Sequence, residues 1–269
     1  MTARPSDLPD FEAPPIAEVV LGVNFTIGDS LKVYHIGLYR DRIKSEFPGF
    51  QEQPPLPGQP LPGQDEQGFR FIAGPLPLPR CWFLDETGTK LIQLQADRFI
   101  HNWRKVTGEE KYPRYEAIRD EFVARWDEFC GFLGDQGVSK PILNACELAY
   151  VNHISKESCW TEPKDLGRLF SFLATDMSGG AGHTLESVQC GLRFKLPGGN
   201  GHLNVSMTPA VRKQDQQEIL RFDLSARGAM ESGEEAQLLK WFDGARETIV
   251  RVFTGLTTEE AHACWKRKT

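Results

Sequence analysis

Apolar side chains recur along this chain in two rhythms, every second residue in some stretches and every third or fourth in others, which separates strands from helices. Ile16 to Ile27, rich in Val and Ile after Pro14-Pro15, reads as a strand. Asp29-Ser30 can cap a helix that carries Leu31, Tyr34, Leu38 and Phe47 and is stopped by Pro48. From Pro48 to Gly63, prolines at 54, 55, 57, 60 and 62 withhold backbone donors, so an irregular surface loop is expected. Three strands are predicted after it: Phe69 to Ala73, Arg80 to Asp85, and Lys90 to Trp103, the last two joined by the turn Asp85-Glu86-Thr87-Gly88. Behind Pro113, placed at the first helical position, Tyr115, Ile118, Phe122, Trp126, Phe129 and Leu133 repeat at helical spacing until Gly134 or Gly137.

The same order then returns. Ile142 to Ile154 reads as a strand and Lys164 to Thr175 as a short helix. Leu185 to Leu196 alternates cleanly, with Val188, Cys190, Leu192, Phe194 and Leu196 on one face; His202 to Thr208 and Glu218 to Ala226 alternate likewise. Ser232 and Glu235 form a capping box for a helix through Leu238, Phe242, Ala245, Ile249 and Val252, and Thr257 with Glu260 offers another for a terminal helix ending near Trp265. The expected fold class is α+β: two tandem strand-helix-three-strand-helix units, residues 14–139 and 140–269, following a flexible N-terminus, residues 1–13. Mainly antiparallel sheets with helices packed on one face complete the expectation.

Charge and cysteine usage narrow the classes. A net charge of -6 argues against a dedicated duplex-binding protein, which carries a basic excess to displace counterions, and leaves only a local basic patch for nucleic acid. No apolar run approaches the roughly 20 residues that span a bilayer, and Met1 to Asp10 lacks the basic start and apolar stretch of a signal peptide. Six cysteines without C-x-x-C spacing read as reduced structural thiols of a cytoplasmic protein.

Candidate chemistry concentrates between Asp97 and Tyr115, where Arg98, His101, Asn102, Trp103 and Arg104 are followed by Arg114 and Tyr115. Under strict alternation, Arg98, Ile100 and Asn102 share one face and Gln93, Gln95, Phe99, His101 and Trp103 the other; a turn or bulge at Asp97-Arg98 shifts that register. Rings and amides on one surface can stack a base or hold a small ligand. The structural alternative makes Trp103 an anchor against the following helix, with Arg104 and Arg114 pairing with acids or capping carbonyls. Glu147 sits in a strand apolar on both faces and needs a cation, Arg98 or Arg104, in a buried ion pair. His153 ends that strand, either as a ligand or catalytic imidazole or as an ordinary hydrogen-bonded histidine. No H-E-x-x-H or paired-cysteine spacing points to a metal, and no cofactor is expected. Pro197-Gly198-Gly199-Asn200-Gly201 reads as a hairpin turn, since no helix follows to complete a phosphate cradle, and Ser178 to Gly182 as a connection. Without a G-x-S-x-G elbow, and with neither Cys130 nor Cys159 at a helix start beside a histidine, no catalytic residue is assigned.

The segments Pro14-Pro15-Ile16-Ala17-Glu18-Val19-Val20, Gln93 to Lys105, Tyr112-Pro113-Arg114-Tyr115 and Tyr150 to Ile154 together give the chain a resemblance, over nearly its whole length, to a sporadically distributed family of uncharacterised bacterial proteins. That resemblance implies an accessory or defence-type gene context and assigns no activity or functional residue. The function expected is therefore a non-enzymatic binding or interaction protein acting with a protein partner or as a homo-oligomer, with a small-molecule ligand as a further option. The alternatives are a hydrolase or nucleic-acid-processing enzyme using Glu147, His153 or His101 with Arg104, and a sensor that binds a metabolite or nucleotide between the two halves.

Overall fold

The computed structural model describes residues 8–28, 31–57, 78–156, 158–174, 177, 182–230 and 235–268. The chain is an α+β protein built on one nine-stranded antiparallel sheet. Its strands are β1 (Ile16–Thr26), β2 (Gly49–Gln53), β3 (Arg80–Leu84), β4 (Lys90–Gln95), β5 (Arg98–Arg104), β6 (Ile142–Ser155), β7 (Cys190–Lys195), β8 (Gly201–Val211) and β9 (Glu218–Ala229). In the sheet they run β2-β3-β4-β5-β1-β6-β9-β8-β7, so β1 and β6 lie side by side at the centre and all strands join one sheet rather than two.

The helices are α1 (Val33–Ile43), α2 (Tyr115–Asp135), α3 (Leu166–Leu169), α4 (Glu235–Leu256) and α5 (Glu259–Cys264). α2 packs on β5 and β1 and α4 on β6 and β9, and the two helices meet where the rings of Phe122 and Phe242 lie 5.1 Å apart. All six positions that predicted α2 are buried, and Phe99 stacks on Phe129 at 5.2 Å within a ring cluster that includes Trp126 and Tyr39. Each such ring stabilises the fold by roughly 1.5–3 kcal/mol through burial alone. The near face of the sheet, under α2 and α4, is thus the core; the far face carries the polar side chains.

Several expectations are corrected. Lys90 to Trp103 is a hairpin, not one strand: Ala96-Asp97 form a two-residue turn and Gln95 pairs with Arg98. The turn falls one residue before the Asp97-Arg98 position that the sequence offered for it, and it lacks the glycine that normally marks a tight hairpin. Gly49–Gln53, expected to be irregular, is the edge strand β2, because Pro48 and Pro54 flank it without entering it. α1 buries His35, Ile36, Tyr39 and Ile43 while Tyr34 and Leu38 face outward. Arg114, not a residue before Pro113, is the cap of α2; α3 is a single turn; and Thr258, one residue beyond Thr257, caps α5 by accepting from the Ala261 amide. Leu8 and Phe11, within the segment expected to be flexible, are buried, and Asp10 to Ala13 bond to Trp265, Lys266 and Lys268. Cys81, Cys130, Cys146 and Cys190 are thiols, but Cys159 and Cys264 form a disulfide, against the expectation of six reduced cysteines. The Asp29-Ser30 cap, the Phe69 to Ala73 strand, most of Ser178 to Gly182 and the Ser232 cap lie outside the described residues.

Candidate functional site

The hairpin at Ala96-Asp97 decides which side chains share a surface. In β4 and β5 the near face takes Ile92, Leu94, Phe99, His101 and Trp103, and the far face takes Leu91, Gln93, Gln95, Arg98, Ile100, Asn102 and Arg104. The cross-strand rows extend this far face through Glu18, Glu147 and His153 to Arg221, Asp223, Ser225 and Arg227, and on to Arg193 and Lys195 at the β7 edge. On it the cations Arg80, Arg98, Arg104, Arg193, Lys195, Arg221 and Arg227 outnumber the carboxylates Glu18, Glu147 and Asp223, although the whole chain carries a net charge of -6.

A chain of hydrogen bonds crosses this face and ends on Glu18. Trp82 Nε1 and Arg80 Nη1 both donate to Gln93 Oε1 at 3.0 Å, Gln93 Nε2 donates to Asn102 Oδ1 at 2.7 Å, and Asn102 Nδ2 donates to Glu18 Oε1 at 2.6 Å. Each amide is thereby fixed in one orientation, which sets the position of the carboxylate. Burial pushes the Glu18 carboxyl above the usual range, opposed by the Asn102 bond and by the positive charges of Arg104 and Arg221. Replacing Gln93 by leucine should cost about 1–2 kcal/mol, because Asn102 loses its donor in a buried setting while Arg80 and Trp82 can turn toward solvent. Urea unfolding measures this, and an unchanged midpoint would show that the relay is not structural.

Glu18 opens onto a cleft of about 430 Å³ that is also lined by Arg104, Lys105, His153 and Lys213. Such a volume suits a small molecule or one side chain of a partner. Arg104 donates from Nε to the Gly88 carbonyl at 2.9 Å and lies over the Trp82 ring, 5.7 Å from its centre. Burial, reinforced by Arg221, Arg212 and Lys105, pushes His153 down to about 4, so its imidazole is neutral near pH 7. The cleft therefore offers a concentrated positive field beside a carboxyl of raised proton affinity, an arrangement suited to an anionic group.

No known family model and no curated protein matches the chain. Of the residues singled out from sequence, Arg104 and His153 come together at the cleft, and Asn102 stands behind Glu18 as its positioning partner. Arg98 is on the same face but buried, donating from Nη2 to the Pro57 carbonyl at 2.6 Å. His101 and Trp103 are on the near face under α2, where Trp103 packs against Tyr112. Arg114 and Tyr115 are also on the helix side: Arg114 binds Asp10 at 3.0 Å, and the Tyr115 hydroxyl donates to Asp243 at 2.9 Å. Glu147 is half-buried, accepts from Ser225 at 3.3 Å and lies opposite Arg227 in the sheet, so Arg227 takes the place expected for Arg98 or Arg104. Among the described residues, no three His, Cys, Asp or Glu side chains are grouped to hold a metal ion, and no helix is long and apolar enough to cross a membrane.

Glu18, Lys105 and Lys213 were not singled out. Glu18 carried a usable signal, being the one carboxylate within the apolar run Ile16 to Ile27. Lys213 carried none, since a lysine in a polar turn is unremarkable until the fold brings it beside β1.

Proposed function

We propose that this is a non-enzymatic binding protein whose far sheet face captures an acidic segment of a protein partner, with one carboxylate of that partner seated in the cleft beside Arg104, Lys105 and Lys213. The observation that carries this reading is the excess of cations on one face of an acidic chain, focused where the hydrogen-bond relay holds Glu18. Burial raises the proton affinity of Glu18, which lessens its repulsion of the same guest. The family resemblance points to a partner encoded in an accessory or defence-type neighbourhood. The two halves are read as tandem units, since β1 and β6 each pair with the last strand of the meander that follows them. The cleft lies next to the central β1/β6 seam, between the two proposed units.

The test is fluorescence anisotropy with a labelled oligo-glutamate peptide. Saturable binding that weakens steeply with added salt is expected. In the double variant Lys105→Glu/Lys213→Glu, affinity should fall at least tenfold while stability stays within about 0.5 kcal/mol, because Lys105 is half-buried and Lys213 exposed, both outside the core. Unchanged affinity in that variant, or preferential capture of a single-stranded oligonucleotide of equal charge, would overturn the proposal.

A further inference from the structure

The proline segment that follows β2 is held with its rings toward solvent. Pro54, Pro55 and Pro57 have φ fixed by the ring at about −65°, and Gln53, Pro54 and Leu56 each precede a proline, which confines their backbone to the extended region. Together these restrictions favour polyproline II, a helix of about three residues per turn. Burial follows that period: Gln53 and Leu56, one turn apart, are half-buried, whereas Pro54, Pro55 and Pro57 are exposed.

The inward edge of the segment lies on the far face of the sheet. Gln95 holds Leu56 with both ends of its amide, Oε1 accepting from the Leu56 N–H at 2.8 Å and Nε2 donating to the Leu56 carbonyl at 3.2 Å. Arg98 donates from Nη2 to the Pro57 carbonyl at 2.6 Å. Gln95 and Arg98 are both buried and pair with each other across the β4/β5 hairpin, so the segment is fixed to a single turn. Among the described residues, none donates to the carbonyl of Pro54 or Pro55.

A single proline is enough to end β2 and guard the edge of the sheet. That role does not account for a second proline one turn further on, or for the bonds that hold the chain beyond the strand. Pro54 and Pro57 share one face of a polyproline II helix, with Pro55 next to them. A partner must offer apolar surface to these rings and donors to the carbonyls between them. A groove lined by Trp and Tyr supplies both, since each ring carries its own N–H or O–H. We propose that residues 53–57 are a docking motif, presented in polyproline II form to the aromatic groove of a proline-reading protein. Holding the backbone in place beforehand lowers the ordering cost of binding. The motif is separate from the Glu18 cleft and does not rest on the acidic-partner reading.

SH3, WW and EVH1 domains labelled with nitrogen-15, all of which read proline-rich strands, are each titrated with the full-length protein and followed by nuclear magnetic resonance. Saturable binding of at least one of them is expected, with shifts concentrated around its groove aromatics. Pro54→Ala/Pro57→Ala should weaken that binding at least tenfold and leave the fold intact, because both rings are exposed. A synthetic peptide of residues 51–57 should compete with the protein at several-fold lower affinity, since it lacks the hold of Gln95 and Arg98. The same peptide carrying Pro54→Ala/Pro57→Ala should not compete. Lys105→Glu/Lys213→Glu should bind the domain like the wild type, which separates this result from the outcome at the cleft. Binding by none of the domains, shifts confined to other surfaces, or wild-type affinity in Pro54→Ala/Pro57→Ala would each overturn the proposal. If that variant does not fold, the two peptides decide alone, and equal competition by both overturns it.

Discussion

Reduction of the Cys159–Cys264 disulfide is expected to lower the unfolding free energy by about 2–5 kcal/mol. The bond joins residues 105 apart in sequence, and a cross-link over so long a loop removes much conformational freedom from the unfolded chain. Its local consequences follow from what α5 holds. Cys264 closes α5, whose Ala261 and His262 are buried, and the Trp265 ring behind it packs on Phe11 and Phe253. The amides of Glu12 and Ala13 donate to the carbonyls of Lys266 and Trp265, and the Lys268 amide donates to Asp10. Loss of the cross-link should therefore free the terminal helix and the N-terminal segment together, before the sheet opens. Denaturant titration with and without a phosphine reductant, and of the variant Cys159→Ser/Cys264→Ser, measures the energy. Hydrogen exchange should lose protection first at residues 10–13 and 259–268. Intact-mass analysis should find the native chain two hydrogens lighter than its reduced form. Equal midpoints in all three samples would show that the bond contributes no stability.

How far the fold could be read in advance depended on whether each element was marked by its own residues. α2, β1, β6 and the buried stripe of α4 were legible because their apolar periods run long enough to exclude other readings. The break at Ala96-Asp97 was legible only as an option, a turn or bulge at Asp97-Arg98, because neither residue of the turn needs a positive φ and neither is a glycine or proline. That turn inverts half of a surface: strict alternation places Gln93 and Gln95 with His101 and Trp103, whereas across the hairpin they share their face with Arg98, Asn102 and Arg104. The cleft was legible in part. Arg104 and His153 stood out by type, but the partners that make them a site come from β1 and from the turn between β8 and β9, and only the strand order brings these together. The disulfide was illegible for the same reason, since no spacing rule links cysteines 105 residues apart.

His101→Leu should stabilise the protein at neutral pH and flatten its acid sensitivity. His101 is fully buried on the near face, and neither ring nitrogen makes a hydrogen bond. Glu121 Oε1 lies 3.8 Å from Nε2 but is engaged by Lys90 at 2.9 Å. Burial first, then the charges of Lys90 and Arg125, push the imidazole down to about 3. The sign follows from which state takes up the proton. Below about pH 6.5 the unfolded chain protonates this histidine while the folded chain holds it neutral, so stability falls as the pH drops from about 6.5 toward 3. The slope approaches one proton, so by pH 4.5 the loss from this residue is on the order of 2–3 kcal/mol. His153, pushed down to about 4, adds to the loss in the same direction over a narrower window. Leucine removes the desolvated nitrogens at once, for a gain of roughly 1–3 kcal/mol at pH 7, and removes the titration with them. Unfolding free energies of both proteins from pH 7 down to pH 4 give the two slopes. Parallel curves would mean that the imidazole is protonated in the folded protein, with Glu121 leaving Lys90 to pair with it.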